Sequence, residues 1–124
     1  AGGVGAADPL YLQMGFSQLG ALSRSGHCRP LDARADGLVV GEGACVLALR
    51  RLDDALREGE DVLAVIRGVG LCNDRAGKLL APSHEGQLRA MHAAYAGLEL
   101  TPSSVGHVEC HATGTPTGDA VEVQ

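Results

Sequence analysis

The chain has 124 residues, about the size of one domain, which allows a moderate core. Hydrophobic residues make up 45%, but with one Phe, two Tyr and no Trp the apolar mass is Ala, Val and Leu alongside 18 Gly, a composition suited to helices packed closely on a sheet of small side chains. A formal charge of −5 with scattered basic residues gives no support to nucleic-acid binding, and no apolar run approaches the roughly 18 to 20 residues of a membrane span, so a soluble protein is expected.

In chain order, Ala1 opens onto a Gly-Gly turn signal with neither an initiator Met nor a signal peptide, so the chain is expected to be a window from a larger protein. Asp8 to Leu22 predicts a loop leading into one or two short helical turns. Cys28 to Gly37 is punctuated by Pro30 and Gly37 and predicts an ordered loop. From Leu38 to Leu52, Gly-Glu-Gly and then Ala-Cys-Val-Leu-Ala-Leu predict a strand buried on both faces. Asp53 to Glu58 predicts a short helix with an acidic start and Gly59 as its stop.

Val62 to Leu71 predicts a second strand, with close backbone approach or a bulge at Gly68 and Gly70. Asn73 to Ser83 predicts a surface loop, and Ser83 caps a helix that carries Leu88, Met91, Ala94 and Tyr95 on one face. Thr101-Pro-Ser-Ser is a turn, and Val105 to Cys110 predicts a third strand ending at His111 and a Thr-Gly-Thr loop. Gly118 to Glu122 opens a last helix, with Asp119 predicted at the N-cap and Glu122 three positions on, in a relative of the capping box. Strands alternating with helices predict an α/β fold.

The four cysteines Cys28, Cys45, Cys72 and Cys110 lie far apart without a Cys-x-x-Cys pair, so reduced, mostly buried thiols in a cytoplasmic protein are expected rather than a disulfide framework or zinc ribbon. His111, at the predicted end of a strand, is placed to donate a hydrogen bond to a carbonyl oxygen that gains charge during a reaction; the plain alternative is a satisfied structural histidine. Thr113 and Thr115 offer hydroxyls and accessible amides around Gly114, either for a substrate chain or for a turn that stabilises itself. A metal site from His107, Glu109, Cys110 and His111 is not expected, because strand alternation sends Cys110 to the opposite face from the other three. Gly41-x-Gly43 and Gly68-x-Gly70 lack the third glycine of a dinucleotide fingerprint.

Two stretches together resemble the β-ketoacyl synthase family: Pro30-Leu-Asp-Ala-Arg-Ala-Asp-Gly-Leu-Val-Val-Gly-Glu-Gly-Ala-Cys-Val-Leu-Ala-Leu-Arg-Arg-Leu and Val108-Glu-Cys-His-Ala-Thr-Gly-Thr-Pro-Thr-Gly-Asp-Ala-Val-Glu. The second is similar to the family's His-Gly-Thr-Gly-Thr loop followed by Gly-Asp and a helix Glu, with Ala112 where the family usually has Gly and Cys110 where Ala is commoner. The resemblance implies part of a thiolase-like layered αβαβα fold, with 1–72 ending an N-terminal half and 73–124 starting a C-terminal half. It implies decarboxylative Claisen condensation of acyl and malonyl-type thioesters in polyketide synthesis, with a wording closest to iterative enediyne-type synthases. A fatty-acid synthase ketosynthase, or a non-acylating partner subunit of the chain-length-factor type, is the alternative.

His111 then aligns with the first catalytic histidine, and Thr113 and Thr115 with threonines that hold a phosphopantetheine arm. Asp36, Glu42, Asp119 and Glu122 match structural positions of the motifs. No directly bound cofactor and no metal are implied. The implied partners are an acyl carrier protein, which brings the phosphopantetheine, and a second copy of the synthase. The nucleophilic Cys lies upstream, and a Lys and second His downstream, so the fragment by itself is expected to be inactive.

Overall fold

The computed structural model describes residues 1–6, 9–74 and 81–124. It contains strand β1 (Gly2–Gly5), helix α1 (Pro9–Gln18), strand β2 (Gly43–Val46), helix α2 (Leu52–Glu58), helix α3 (His84–Tyr95), a 3-10 turn (Pro102–Ser104) and helix α4 (Pro116–Glu122). β1 and β2 pair antiparallel, with Gly2 opposite Val46 and Gly5 opposite Gly43.

Helix ends follow local chemistry. Gly20 adopts φ 64°, and beyond α1 its N–H reaches the Ser17 carbonyl while that of Ala21 reaches Phe16, the pairing of a left-handed glycine stop. The same pairing closes α2 at Gly59, whose N–H meets Leu56 while that of Glu60 meets Ala55, so the predicted stop is observed. Ser83 caps α3 as predicted, its hydroxyl accepting the Gly86 N–H at 3.3 Å. Helix α1 runs ten residues, longer than the one or two turns expected; Leu10, Tyr11, Leu12 and Met14 are all exposed along it, so its apolar residues do not follow one stripe. The start of that segment, at Asp8, and the centre of the loop predicted between Asn73 and Ser83 lie outside the described residues.

Three expected strands need correction. Of Leu38 to Leu52 only Gly43–Val46 forms a strand, and it is not buried on either face: Val46 is 82% exposed, because among the described residues its ladder partner is the glycine-rich β1 alone and no helix packs on the ribbon. Val62–Leu71 and Val105–Cys110 form no strand among the described residues, since a strand exists only through a hydrogen-bonded neighbour and none is present. Leu63 is 98% and Leu71 88% exposed.

The close approach predicted at Gly68 and Gly70 is present. A methyl group on either would overlap a backbone carbonyl of α3, that of Ala94 or Ala90, so the 62–71 segment lies with its main chain directly on the helix. Arg89 reinforces the seam: its guanidinium donates to the Cys72 sulfur at 3.1 Å and to the Asn73 carbonyl at 3.0 Å. Cys28, Cys45 and Cys72 are exposed free thiols and Cys110 is half-buried, which corrects the expectation of mostly buried cysteines for the same reason as the strands.

Among the described residues Ala55 is the one buried hydrophobic side chain. The other buried positions are Gly37, Gly86, Gly114 and Asp119, and three of these four meet where α4 touches the loops before β2 and before α4 itself. Among the described residues burial is therefore concentrated at a polar loop junction.

Candidate functional site

Pro116 supplies the fixed φ of a first helical residue, so α4 begins there with Thr115 at its N-cap, four residues before the predicted cap at Asp119. Asp119 consequently is not the cap. It enters the helix and turns inward, 6% exposed, where Oδ2 accepts the Leu31 N–H at 2.6 Å and Oδ1 accepts the Gly114 N–H at 3.0 Å. Glu122, one turn on, accepts the His111 N–H at 2.7 Å and the Ala112 N–H at 2.7 Å, one on each oxygen. The predicted capping box is thus replaced by two carboxylates that bind distant main chain.

Between these anchors runs the loop His111 to Thr115. Ala112 has φ 44° and Gly114 φ 78°, so the loop turns through two left-handed residues. The Thr113 and Thr115 hydroxyls lie 3.0 Å apart, both half-buried, and Gly118 leaves room for them, since a Cβ there would stand 2.6 Å from the Thr115 Oγ1. His111 is exposed, following a segment that carries His107 and Glu109 bonded to each other at 3.1 Å.

The preceding loop closes the other side. Gly37 donates its N–H to the Gly114 carbonyl at 3.0 Å, and Leu38 pairs with Leu22 in a parallel bridge. Asp36 binds the Ser23 hydroxyl at 2.6 Å and the Ser25 N–H at 2.9 Å. Those bonds, first the Ser23 hydroxyl and then the Ser25 amide, stabilise the carboxylate and pull its pKa from 3.8 down to about 2. On the same loop the Arg34 guanidinium and amide hold Asp32 well below the usual carboxylate range.

The structure therefore gathers His111, Thr113, Thr115, Asp119 and Glu122 into one junction, with Asp36 on its rim. Glu42 stands apart, exposed and without a hydrogen bond among the described residues. Sequence reasoning missed Leu31, which has φ 59° and whose amide meets Asp119; nothing in Pro30-Leu-Asp signals this, because the conformation is imposed by a contact 88 residues away. Gly37, read in the sequence only as punctuation of an ordered loop, has a φ of 141° and tight surroundings that are the physical signature of an obligatory glycine.

Comparison with known proteins gives a consistent picture. The β-ketoacyl synthase N-terminal domain matches residues 1–55, and the β-ketoacyl synthase C-terminal domain matches 63–124. The chain is 50% identical over 111 residues, 89% of its length, to a phenolphthiocerol/phthiocerol polyketide synthase from Mycobacterium bovis, and spans 6% of that protein. Among solved structures it superposes on the PfaC keto synthase–chain length factor with a TM-score of 0.93 and 44% identity, covering 99% of this chain and 13% of that one. It superposes on the ketosynthase from module 6 of the bacillaene synthase from Bacillus subtilis 168 with a TM-score of 0.90 and 34% identity, covering 98% and 22%. The α/β, thiolase-like fold expected from the sequence is the one it shares with these ketosynthases.

Proposed function

As the chain belongs to the β-ketoacyl synthase family, we propose that it forms the histidine-bearing loop region of a polyketide synthase condensing domain, which joins acyl and malonyl-type thioesters. The observation that supports this most directly is an exposed imidazole at a turn whose two successive amides are gripped by one carboxylate, beside a pair of half-buried hydroxyls.

In this proposal a cysteine elsewhere in the synthase holds the growing acyl chain as a thioester. The malonyl-type extender loses CO2, and the electron pair of the broken C–C bond passes into a thioester enolate. That enolate attacks the acyl carbonyl, forms the new C–C bond and expels the cysteine thiolate. His111 donates a hydrogen bond to the extender thioester oxygen as it gains charge, which lowers the barrier to decarboxylation. Thr113 and Thr115 hold the phosphopantetheine arm brought by an acyl carrier protein and contribute by positioning. Asp36, Asp119 and Glu122 hold the loops.

The division of the chain into the end of an N-terminal half (1–72) and the start of a C-terminal half (73–124) belongs to the same proposal. Separate matches to the N-terminal family domain over 1–55 and the C-terminal one over 63–124 support a division of this kind. Assembly as a homodimer and a cytoplasmic location go with it as well. Among the described residues no helix is long and apolar enough to cross a membrane. A non-acylating partner of the chain-length-factor type is the second reading, favoured by the likeness to a structure that carries such a factor.

The test is His111→Ala in the intact synthase. Condensation should be abolished while loading of the cysteine with a labelled acyl thioester stays largely intact. Normal turnover by the variant would contradict the role given to His111, and absence of loading in the unaltered synthase would favour the non-acylating reading.

A further inference from the structure

We propose that Gly118 is a positioning residue for the extender's phosphopantetheine arm: lacking a Cβ inside α4, it leaves the Thr115 hydroxyl room to pair with Thr113 and meet the arm instead of capping its own helix. The inference rests on the reading of Thr113 and Thr115 as the residues that hold the arm, and it names what sets their geometry.

Glycine inside a helix weakens it relative to alanine, so its presence at the third residue of α4 calls for a reason. Backbone conformation does not supply one, because Gly118 is helical and lacks the positive φ of Gly114. Space does. A Cβ on Gly118 would stand 2.6 Å from the Thr115 Oγ1, far inside contact distance, and 3.5 Å from the Thr113 Oγ1, which is ordinary contact. The glycine therefore protects one hydroxyl in one rotamer.

Thr115 is also the N-cap of α4, where a threonine hydroxyl ordinarily accepts the N–H of the second or third helical residue. It makes no such bond. Its oxygen lies 3.0 Å from that of Thr113 instead, with both residues half-buried. In such a pair one hydroxyl donates to the other, and the accepting threonine keeps its own O–H to donate outward, the partner that an amide carbonyl of the arm requires. Two features that weaken the start of the helix, an unused cap and an interior glycine, thus serve the same hydroxyl. Gly118 itself touches no part of the substrate in this scheme; it acts through Thr115.

Gly118→Ala in the intact synthase tests this, alone and combined with Thr115→Ala, with condensation kinetics, cysteine loading and thermal unfolding as the readouts. In G118A the new methyl should turn the Thr115 hydroxyl toward its own helix and raise KM for the carrier-bound extender about fivefold, as expected for one lost hydrogen bond, while kcat falls less than about twofold. Cysteine loading should not change. The unfolding transition should hold or rise, because alanine favours the helix and the displaced hydroxyl is free to cap it. In the T115A background, where no hydroxyl remains to be displaced, G118A should raise KM no further. An unchanged KM in G118A, an equal rise in both backgrounds, or a lowered unfolding transition, the mark of a glycine needed for packing, would each overturn the proposal. If T115A alone leaves KM unchanged, the reading of the threonines as holders of the arm fails instead. A crystal structure of the G118A domain then decides the steric claim by itself: a Thr115 hydroxyl turned away from Thr113 supports it, and a pair still 3.0 Å apart overturns it.

Discussion

The Asp119 carboxylate accepts the backbone N–H of Leu31 at 2.6 Å, across 88 positions of sequence, while its other oxygen takes the N–H of Gly114. One buried side chain thus joins α4, the loop before β2 and the loop that carries His111. A carboxylate suits this post because it offers acceptors on two sides and, when ionised, binds amides more strongly than a neutral group.

Asp119→Asn keeps one oxygen and turns an NH2 group toward the other amide, leaving a buried donor without a partner. The expected loss is about 1–3 kcal/mol in denaturant unfolding of the intact domain, with Asp119→Ala losing more. An unchanged unfolding midpoint would show that the junction does not depend on this residue.

Gly37→Ala should be among the most damaging small substitutions. With φ 141°, its Cβ would stand 2.5 Å from the Leu22 carbonyl carbon and the Ser23 nitrogen, and 2.6 Å from the Ala21 oxygen, all backbone atoms that no rotamer change can move. The strain alone costs about 1–3 kcal/mol. Because the Gly37 N–H also binds the Gly114 carbonyl, the threonine loop should shift as well, seen as reduced condensation in whatever fraction remains folded.

Asp36 predicts a pH effect whose sign is set by its depressed pKa of about 2. The stability it lends the Ser23–Asp36 loop is present above the unfolded value of roughly 4 and is lost as the pH falls from there toward 2. Ser23→Ala removes the first cause of the shift, so the carboxyl resonance of Asp36 should titrate closer to an ordinary aspartate. A midpoint unmoved from that of the unaltered protein would show that the hydroxyl does not stabilise the carboxylate.

The parts of the fold legible in the sequence are those decided within a few residues. Ser83 caps α3 and Gly59 ends α2 because each satisfies amides or carbonyls of its own helix. The glycines at 68 and 70 announced a close approach, since the absence of a Cβ is itself the device. The cap of helix α4 was misjudged by four residues because Pro116 and Asp119 both qualify as start signals, and the proline prevailed when the aspartate was drawn into a contact outside the helix. The strands expected at 62–71 and 105–110 failed for a related reason: a period of apolar residues describes a face, but a strand also needs a neighbour.

The family and the identity of the residues at the candidate site are written in the order of amino acids, because His111, Thr113, Thr115, Asp119 and Glu122 fall in one short motif. What those residues do to one another emerges only once the chain is folded. The two acids serve as anchors rather than caps, and Leu31 and Ala112 are held in conformations that their side chains resist. The physical reason is range: propensity and spacing act over a turn or two of chain, whereas a buried carboxylate binds whatever amides the fold delivers to it.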